Sequence, residues 1–234
     1  MSHAVPEDAR DDSRQVGAHE RVWSGPIFTV DDEELVLAEG QEPVRRQIVA
    51  HHDAVSIVAL REGPDSSRAD GAAEILMVRQ YRHPVSAMLW EVPAGLLDVP
   101  GEAPLLAARR ELAEETDFAA ARWDVLADFY ASPGFTTEGV RSYLARDLHV
   151  LAPQERVERE AEEAEFVPTW FRLDDVVAAV VAGRLHNPST VVGVLAAARA
   201  RSRGWAGLRP ADAEWQEPAE PVGRRGPADA PGRR

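Results

Sequence analysis

Apolar residues are concentrated in short runs between residues 45 and 200, and the spacing within each run predicts the element that it forms. Runs of four to eight residues that are rich in apolar and β-branched side chains favour strands. Strands are predicted on this basis at residues 54–60, 74–81, 123–130, 140–145 and 165–171. The segment between the first two is rich in Gly, Pro, Asp and Ser, which predicts a hairpin with a long loop.

Three further segments are predicted to be helical. The first runs from about Ala103 to Thr116, and the other two lie near residues 173–183 and 188–200. Strands, one helix, more strands and two helices therefore follow one another along the chain. That order is typical of α+β layering and differs from the regular βαβ alternation of a doubly wound sheet. We predict an α+β fold without an internal repeat.

The two ends of the chain lack a sustained hydrophobic period. Residues 1–20 are polar, and residues 202–234 are rich in Pro, Gly, Ala and charged side chains, so both segments are predicted to be disordered tails. A single domain is predicted between them, at residues 21–201. The length of 234 residues and the apolar content of 44% agree with one domain that has its own core.

The charge and the cysteine content exclude several classes of function. A net formal charge of −14 supplies no basic face for nucleic acid or anionic lipid, so neither is an expected partner. The chain contains no cysteine, which excludes disulfides, thiolate catalysis and cysteine-based zinc sites. No apolar stretch approaches the roughly 20 residues that span a bilayer, and none follows the polar start as in a signal peptide. The expected compartment is the cytoplasm.

The first predicted helix carries a concentration of carboxylates on one face. Residues three and four apart are neighbours on a helix, so Glu111 lies beside both Glu114 and Glu115. Like charges at this spacing cost roughly 0.2–0.5 kcal/mol per pair on an exposed helix. Arg109 and Arg110 offset part of this repulsion, and a divalent cation such as Mg²⁺, which prefers carboxylate oxygens, would offset the rest. For the acidic run considered alone, the alternative is a solvated helix face.

The segment from residue 95 to residue 118 resembles the Nudix box of the Nudix hydrolases. That pattern is Gly, five residues, Glu, seven residues, and then Arg-Glu-apolar-x-Glu-Glu-x-Gly-apolar. The matching places are taken here by Gly95, Glu102, Arg110, Glu111, Leu112, Glu114, Glu115 and Phe118. A mixed pattern of this length rarely arises by chance.

Two positions depart from the pattern. Six residues separate Gly95 from Glu102, an insertion that a loop absorbs without changing the helix register. Asp117 stands where the pattern has glycine, just beyond the helix. A residue at this position commonly adopts a left-handed conformation, which Asp enters at a cost of about 1 kcal/mol. Neither departure removes a metal ligand.

The resemblance implies a Nudix fold, which is an α/β/α sandwich with a mixed sheet, and a metal-dependent hydrolysis. The family cleaves a nucleoside diphosphate linked to another moiety, by attack of a metal-activated water on the pyrophosphate. By resemblance, Glu111 and Glu115 are the main ligands of Mg²⁺, or of Mn²⁺ as the alternative ion. Glu114 is expected to assist, Ala94 to contribute its carbonyl oxygen, and Arg110 to hold the carboxylates in place.

The segments "VRQYRHP", "LWEVPAGLLD" and "SPGFTTE" are similar to the ADP-ribose pyrophosphatase branch of that family. The resemblance covers about residues 45–200. It implies that Arg79 and Arg82 meet phosphate or ribose oxygens. It also implies that a loop containing Ser132, Gly134 and Phe135 lies against the substrate. The alternatives are two surface arginines flanking a strand and an ordinary Pro-Gly turn.

The acidic segment at residues 158–166 is the predicted source of the general base. In the ADP-ribose branch an acidic loop carries the base, and Glu162 and Glu163 occupy the matching place. The sequence does not choose between these two, and Glu165 is a third candidate. A carboxylate near a metal-bound water accepts a proton at neutral pH because the metal lowers the pKa of that water. The alternative is a solvated run of charge.

The predicted function is Mg²⁺-dependent hydrolysis of ADP-ribose, or of a close ADP-sugar, to AMP and a sugar phosphate. Members of this branch are typically dimers that exchange an N-terminal sheet region, so residues 21–44 are the expected dimerisation region of a homodimer. One alternative is a pyrophosphatase for another nucleoside diphosphate sugar or a dinucleotide. Another is a non-catalytic nucleotide-sensing domain, against which the intact set of Glu111, Glu114 and Glu115 argues.

Overall fold

The computed structural model describes residues 6–9, 11, 13–63, 73–157 and 167–215. The chain divides into two compact units. Among the described residues, those up to residue 52 and residues 132–138 form the N-terminal unit, and those within 53–131 and 139–215 form the central unit. Across the described ranges, every helix is too short or too polar to cross a membrane.

The N-terminal unit contains an antiparallel sheet. Its described strands are β1 (Gln15–Ser24), β2 (Phe28–Val36) and β3 (Val44–His51), in the spatial order β1-β2-β3. On β2, Asp31 is fully buried, and its Oδ1 lies 2.9 Å from Nε of Arg21 on β1. The segment at residues 132–138 attaches to β3, because the N–H of Val49 donates to the carbonyl of Phe135 at 2.7 Å.

The central unit is built on a mixed sheet. In the described part of the chain this sheet runs β10-β5-β4-β9-β8-β11, with β6 paired to β5 and β7 paired to β4. Strands β4 and β9 are parallel, and the other pairs are antiparallel. The elements are β4 (Ala54–Glu62), β5 (Ala73–Arg82), β6 (Ala87–Glu91), β7 (Ala94–Leu96), α1 (Pro104–Thr116), β8 (Phe118–Tyr130), β9 (Gly139–Val150), β10 (Thr169–Arg172), α2 (Leu173–Val181), α3 (Pro188–Ser202) and β11 (Arg209–Pro210).

Helices cover both faces of this sheet. Helix α1 packs Leu112 into one apolar cluster with Ile57 of β4. Helices α2 and α3 pack into a second cluster that contains Val58, the next residue of β4. Residues 54–60 are all buried, because a strand covered on both faces has no solvent side. The predicted α+β fold, an α/β/α sandwich with a mixed sheet, is confirmed.

Most of the predicted elements are present with modest changes of boundary. The strands predicted at 54–60 and 74–81 are β4 and β5, and they pair as an antiparallel hairpin. The strands predicted at 123–130 and 140–145 are the longer β8 and β9. The strand predicted at 165–171 begins only at Thr169, since Pro168 has no N–H for a ladder; residues 165 and 166 lie outside the described ranges. All three predicted helices form.

The predicted boundaries of the two tails are wrong. Strand β1 begins at Gln15, within the segment 1–20 that was predicted to be a disordered tail. At the other end, residues 203–215 are described, and Arg209 and Pro210 pair with β8 as β11. We refer to residues 203–215 as the C-terminal strap. Predicted disorder from residue 202 onward is therefore incorrect as far as residue 215.

The C-terminal strap is anchored by two arginines of β9. Arg141 forms a two-pronged ion pair with Asp128 at 2.9 and 3.0 Å, donates to the carbonyl of Ala213 at 2.7 Å, and lies 4.9 Å from the ring centre of Trp215. Arg146 makes a single ion pair with Asp124 of β8 at 2.6 Å and lies 4.5 Å from the ring centre of Trp205 of the strap. Because each anchor joins residues far apart in sequence, local composition did not reveal the strap.

Asp128 shows how the anchor is balanced electrically. Burial acts to raise the pKa of the Asp128 carboxyl, but hydrogen bonds from Arg141 and Arg209 outweigh burial and hold the pKa below its ordinary range. Arg141 is only 2% exposed, and a charge at that depth needs a partner of opposite sign. The strap and strands β8 and β9 are thus held together by a charge pair that stays ionised at neutral pH.

Helix α1 ends at a residue in the left-handed conformation. Asp117 has φ 60° and ψ 25°, and its N–H donates to the carbonyl of Ala113 at 3.0 Å. The left-handed conformation predicted for the position of the missing glycine is confirmed. Glycine adopts this conformation without the steric penalty that a side chain incurs.

Asp117→Gly is expected to stabilise the protein by up to about 1 kcal/mol with hydrolysis unchanged, because the left-handed strain is relieved and no ligand is altered. Asp117→Ala is expected to have the opposite sign, since Ala enters this region less readily than Asp. Urea unfolding of both variants measures the difference. A glycine variant less stable than the wild type would mean that the carboxylate makes a contact worth more than the strain. Loss of hydrolysis would place the side chain in the metal site.

Candidate active site

A polar cleft of about 310 Å³ lies in the central unit where α1 faces strands β5 and β7. Strand β5 contributes two side chains, and β7 and the residues after it supply the tight turn that enters the loop before α1. Helix α1 contributes its acidic face. The lining residues are Gln80, Arg82, Ala94, Gly95, Leu96, Asp98, Arg110, Glu111, Glu114 and Glu115.

The two faces of α1 explain why its carboxylates converge on this cleft. Ala107, Ala108 and Leu112 are fully buried in the apolar cluster beneath the helix. That packing fixes the rotation of the helix, so residues three and four apart on the other face share the cleft. Glu111 and Glu115 are only 8% and 7% exposed. The predicted metal ligands Glu111, Glu114 and Glu115 are thus brought together.

Arg110 ties the acidic side chains to one another. Its guanidinium donates to both carboxylate oxygens of Glu102, at 3.2 and 3.0 Å. It also donates to Glu111 at 2.7 Å and to Glu114 at 3.1 Å. The hydrogen bond from Arg110 lowers the pKa of Glu102 below its ordinary value, and the bonded carboxylates raise the pKa of Arg110. The positioning role predicted for Arg110 agrees with these contacts.

Strand β7 holds the other side of the acidic cluster. The N–H of Ala94 donates to Oε2 of Glu115 at 3.2 Å. A Cβ added to Gly95 would lie 2.0 Å from the carboxyl carbon of Glu111 and 2.1 Å from one of its oxygens. Both distances are far below van der Waals contact. The glycine is therefore required for the approach of Glu111, and not for an unusual backbone angle.

Gly95→Ala is expected to lower kcat/KM by roughly 10- to 100-fold, because the added methyl displaces the Glu111 carboxylate and misplacement of about 1 Å costs up to about 100-fold. Gly17→Ala is the matched control, since its Cβ would stand 3.4 Å from Glu34, an ordinary contact. Steady-state kinetics and thermal unfolding of both variants separate site distortion from loss of fold. Normal kinetics for Gly95→Ala would show that Glu111 does not need this position.

The structure separates the two arginines predicted to contact substrate. Gln80 and Arg82 of β5 line the cleft. Alternate residues of a strand point to opposite faces, so Arg79 belongs to the other face, where its guanidinium lies 5.8 Å from the ring centre of Trp90. Trp90 itself packs edge-on against Phe171. The substrate role of Arg82 is compatible with its place, and that of Arg79 stays a prediction.

The remaining predicted site residues are outside the described part of the central unit. Ser132, Gly134 and Phe135 belong to the N-terminal unit. Glu162, Glu163 and the third candidate base, Glu165, lie outside the described ranges.

Sequence reasoning did not identify Gln80 and Asp98, which line the cleft, or Glu91, whose carboxylate accepts a hydrogen bond from Arg82. Gln80 shares a strand face with Arg82, a signal that the period of two could have supplied. No spacing pattern in the sequence indicated a role for Glu91.

The donor set of the cleft suits a hard divalent cation. Carboxylate and backbone carbonyl oxygens are the ligands that such ions prefer. The close approach at Gly95 also keeps the Glu111 carboxylate against strand β7, which contains Ala94. Within the described ranges, no three acidic or histidine side chains form a ready-made metal cluster, and Arg110 bridges Glu111 and Glu114. The residue types fit a divalent ion, and hydrogen bonds from Arg110 and from the N–H of Ala94 hold the carboxylates in place.

Comparisons with known proteins agree with this geometry. Residues 50–190 match the model of the NUDIX domain. The ADP-ribose pyrophosphatase of Mycobacterium tuberculosis is 40% identical over 196 residues, which cover 84% of this chain and 88% of the relative. The ADP-ribose pyrophosphatase of Bacillus subtilis is 33% identical over 178 residues, which cover 76% and 88%. The crystal structure of an ADP compounds hydrolase matches with a TM-score of 0.67 at 19% identity, over 85% of this chain and all of that one, and so shows a shared fold.

Proposed function

This chain belongs to the Nudix hydrolase family, and on that premise we propose that it hydrolyses the pyrophosphate bond of ADP-ribose, or of a close ADP-sugar, with Mg²⁺. The products are AMP and a sugar 5-phosphate. One observation carries the proposal. The acidic face of α1, whose glutamates are bonded to Arg110 and approach Gly95, lines the cleft. The chain that contains this cleft is similar over most of its length to two ADP-ribose pyrophosphatases.

Nudix hydrolases need a divalent metal, and the finer assignment to Mg²⁺ is part of the proposal. Glu111 and Glu115 would hold the ion, with Glu114 and the carbonyl of Ala94 as further donors. When bound, the ion neutralises charge on the pyrophosphate and lowers the pKa of the attacking water. Arg110 keeps the carboxylates in register through its bonds to Glu111 and Glu114. The N–H of Ala94 donates to one oxygen of Glu115 and so helps to fix that carboxylate.

Substrate recognition is proposed to combine groups from several elements. Arg82 lines the cleft beside the acidic helix and supplies a cation for phosphate oxygens. Arg79 and the loop residues Ser132, Gly134 and Phe135 are further proposed contacts, by resemblance to the ADP-ribose branch. The base that takes a proton from the attacking water is proposed to be Glu162 or Glu163, with Glu165 as the weaker candidate.

A homodimer is also proposed, with residues 21–44 as the dimerisation region. Strand β2 lies wholly within that region, and several large apolar side chains of the N-terminal unit are exposed. Trp23 is 47% exposed and Ile27 is 49% exposed. Burial of such side chains against a second copy would stabilise the dimer.

A substrate panel tests the proposed function. The full chain is incubated with Mg²⁺ and with ADP-ribose, ADP-glucose, GDP-mannose or a dinucleotide, and the products are identified by chromatography and mass spectrometry. We expect ADP-ribose to have the highest kcat/KM and to yield AMP and ribose 5-phosphate. A tenfold preference for another compound would replace ADP-ribose with that substrate. Binding of ADP-ribose without hydrolysis would favour a nucleotide-sensing domain.

A further inference from the structure

An ion pair between Arg82 and the buried Glu91 borders the cleft that α1 also lines. Arg82 donates through Nε to Oε1 of Glu91 at 2.9 Å, and through a terminal nitrogen to Oε2 at 2.6 Å. Glu91 is 2% exposed, whereas the side chain of Arg82 is 43% exposed. The carboxylate is therefore interior, and the guanidinium lies between it and the open cleft.

The pair is not an automatic result of strand pairing. In the ladder between β5 and β6, Arg82 lies opposite Ala87, and Glu91 lies opposite Val78. Arg82 must therefore extend back along the face of the sheet, past Gln80, to reach the carboxylate. An exposed arginine side chain has many rotamers, and an unconstrained one would sample solvent. Glu91 selects one conformation among many.

Arg82 also differs from the other arginine of the cleft. Arg110 donates to three glutamates of its own loop and helix. Arg82 instead comes from strand β5 of the sheet and lines the same cleft as the acidic face of α1. A pyrophosphate in the cleft would meet that acidic face, so a cation fixed in direction within the same cleft sets the position of the pyrophosphate. Glu91 neutralises part of the charge of Arg82. Any contribution of Glu91 to substrate binding must therefore come from the direction in which it holds the guanidinium, and not from net charge.

We propose that Glu91 is a positioning residue, which holds the Arg82 guanidinium in the direction that receives the pyrophosphate of the substrate. The inference rests on the proposed function and goes beyond it, because it assigns a role to a buried side chain that touches no substrate. A guanidinium fixed in advance loses less entropy on binding. It binds ground state and transition state alike, and so acts on KM more than on kcat.

Glu91→Gln tests the role, since the amide keeps the shape but loses the charge that fixes both prongs of the guanidinium. We expect KM for ADP-ribose to rise about tenfold, with kcat within about threefold of wild type. Calorimetric titration of ADP-ribose in EDTA should show a similar rise in Kd without any catalysis. Glu74→Gln is the matched control, because Glu74 of β5 pairs with Arg61 of the neighbouring strand β4 at 2.8 Å and does not line the cleft. An unchanged or lower KM for Glu91→Gln would overturn the inference.

A double-substitution cycle separates positioning from general stability. If Glu91 acts through Arg82, the KM of the double variant Arg82→Ala/Glu91→Gln should be less than twofold above the KM of Arg82→Ala alone. If instead the effects of the two substitutions on KM are additive, the proposal is overturned. Arg82→Lys keeps the charge but cannot form the two-pronged pair, so its KM should also rise about tenfold. This variant decides the matter if Glu91→Gln fails to fold. The wild-type assay tests the proposed function separately. If the wild-type enzyme hydrolyses no ADP-ribose, the proposed function is refuted.

Discussion

Glu115→Gln is expected to lower kcat for ADP-ribose hydrolysis by roughly 10³-fold while the fold is retained, because loss of several kcal/mol of transition-state stabilisation corresponds to a loss of that size. Glu115 is 7% exposed and lies on the face of α1 that borders the cleft. Glutamine has the same shape, and its oxygen can still accept the hydrogen bond from the N–H of Ala94. The substitution therefore removes the charge and leaves the packing in place.

Thermal unfolding, Mg²⁺ titration and steady-state kinetics of Glu115→Gln separate these effects. Glu62→Gln is a suitable control, because Glu62 is an exposed glutamate at the end of β4, outside the cleft. We expect the control to match the wild type in all three measurements. The Glu115 variant should keep a normal melting temperature and require a higher Mg²⁺ concentration for half-maximal rate. Activity within a few-fold of wild type would contradict the assignment of Glu115 as a metal ligand.

The part of the fold that local pattern predicted is the part where local and tertiary forces agree. Residues 54–60 are a continuous apolar run, and they form a strand whose two faces are both covered. Ala107, Ala108 and Leu112 have helical spacing and form the buried side of α1. In each case one residue pattern satisfies both backbone preference and burial. Such elements are readable from sequence alone.

The C-terminal strap was not predictable in this way. Its local sequence is rich in Gly, Ala and charged side chains and has no sustained hydrophobic period, so it resembles a disordered tail. It is held by Arg141 and Arg146, which lie more than 50 residues earlier and on another strand. Contacts at this sequence separation have no local signature.

The candidate site likewise has a part that local sequence predicted and a part that depends on contacts between strands. The acidic cluster of α1 follows from spacing on one helix, so sequence reasoning placed Glu111, Glu114 and Glu115 together. The pairing of Arg82 with Glu91 depends on how β5 and β6 align and on which face each side chain takes. The different environments of Arg79 and Arg82 depend on the same strand geometry. These features required the structure.

The identity of the general base is the largest remaining prediction for catalysis. The carboxylates that line the cleft on α1 already accept hydrogen bonds: Glu111 and Glu114 from Arg110, and Glu115 from Ala94. Oxygens held in this way are suited to holding a cation in place. A separate carboxylate is better suited to taking a proton, and the acidic segment at 158–166 supplies several. These residues lie outside the described ranges, so the assignment of Glu162 or Glu163 rests on the resemblance.

The double variant Glu162→Gln/Glu163→Gln is expected to lower kcat by at least roughly 10²-fold with little change in KM, because general-base catalysis contributes about 10²- to 10⁴-fold and acts in the transition state. The single variant that removes the true base should reproduce this loss, and the other should stay near wild type. The acid limb of the kcat–pH profile should disappear with the base, since that limb reports its protonation. Glu158→Gln/Glu160→Gln removes equal charge from the same segment. If both double variants lose activity equally, net charge of the segment matters and not a base. Near-normal rates for both Glu162 and Glu163 single variants and for their double would make the segment a solvated acidic run and place the base elsewhere in the chain.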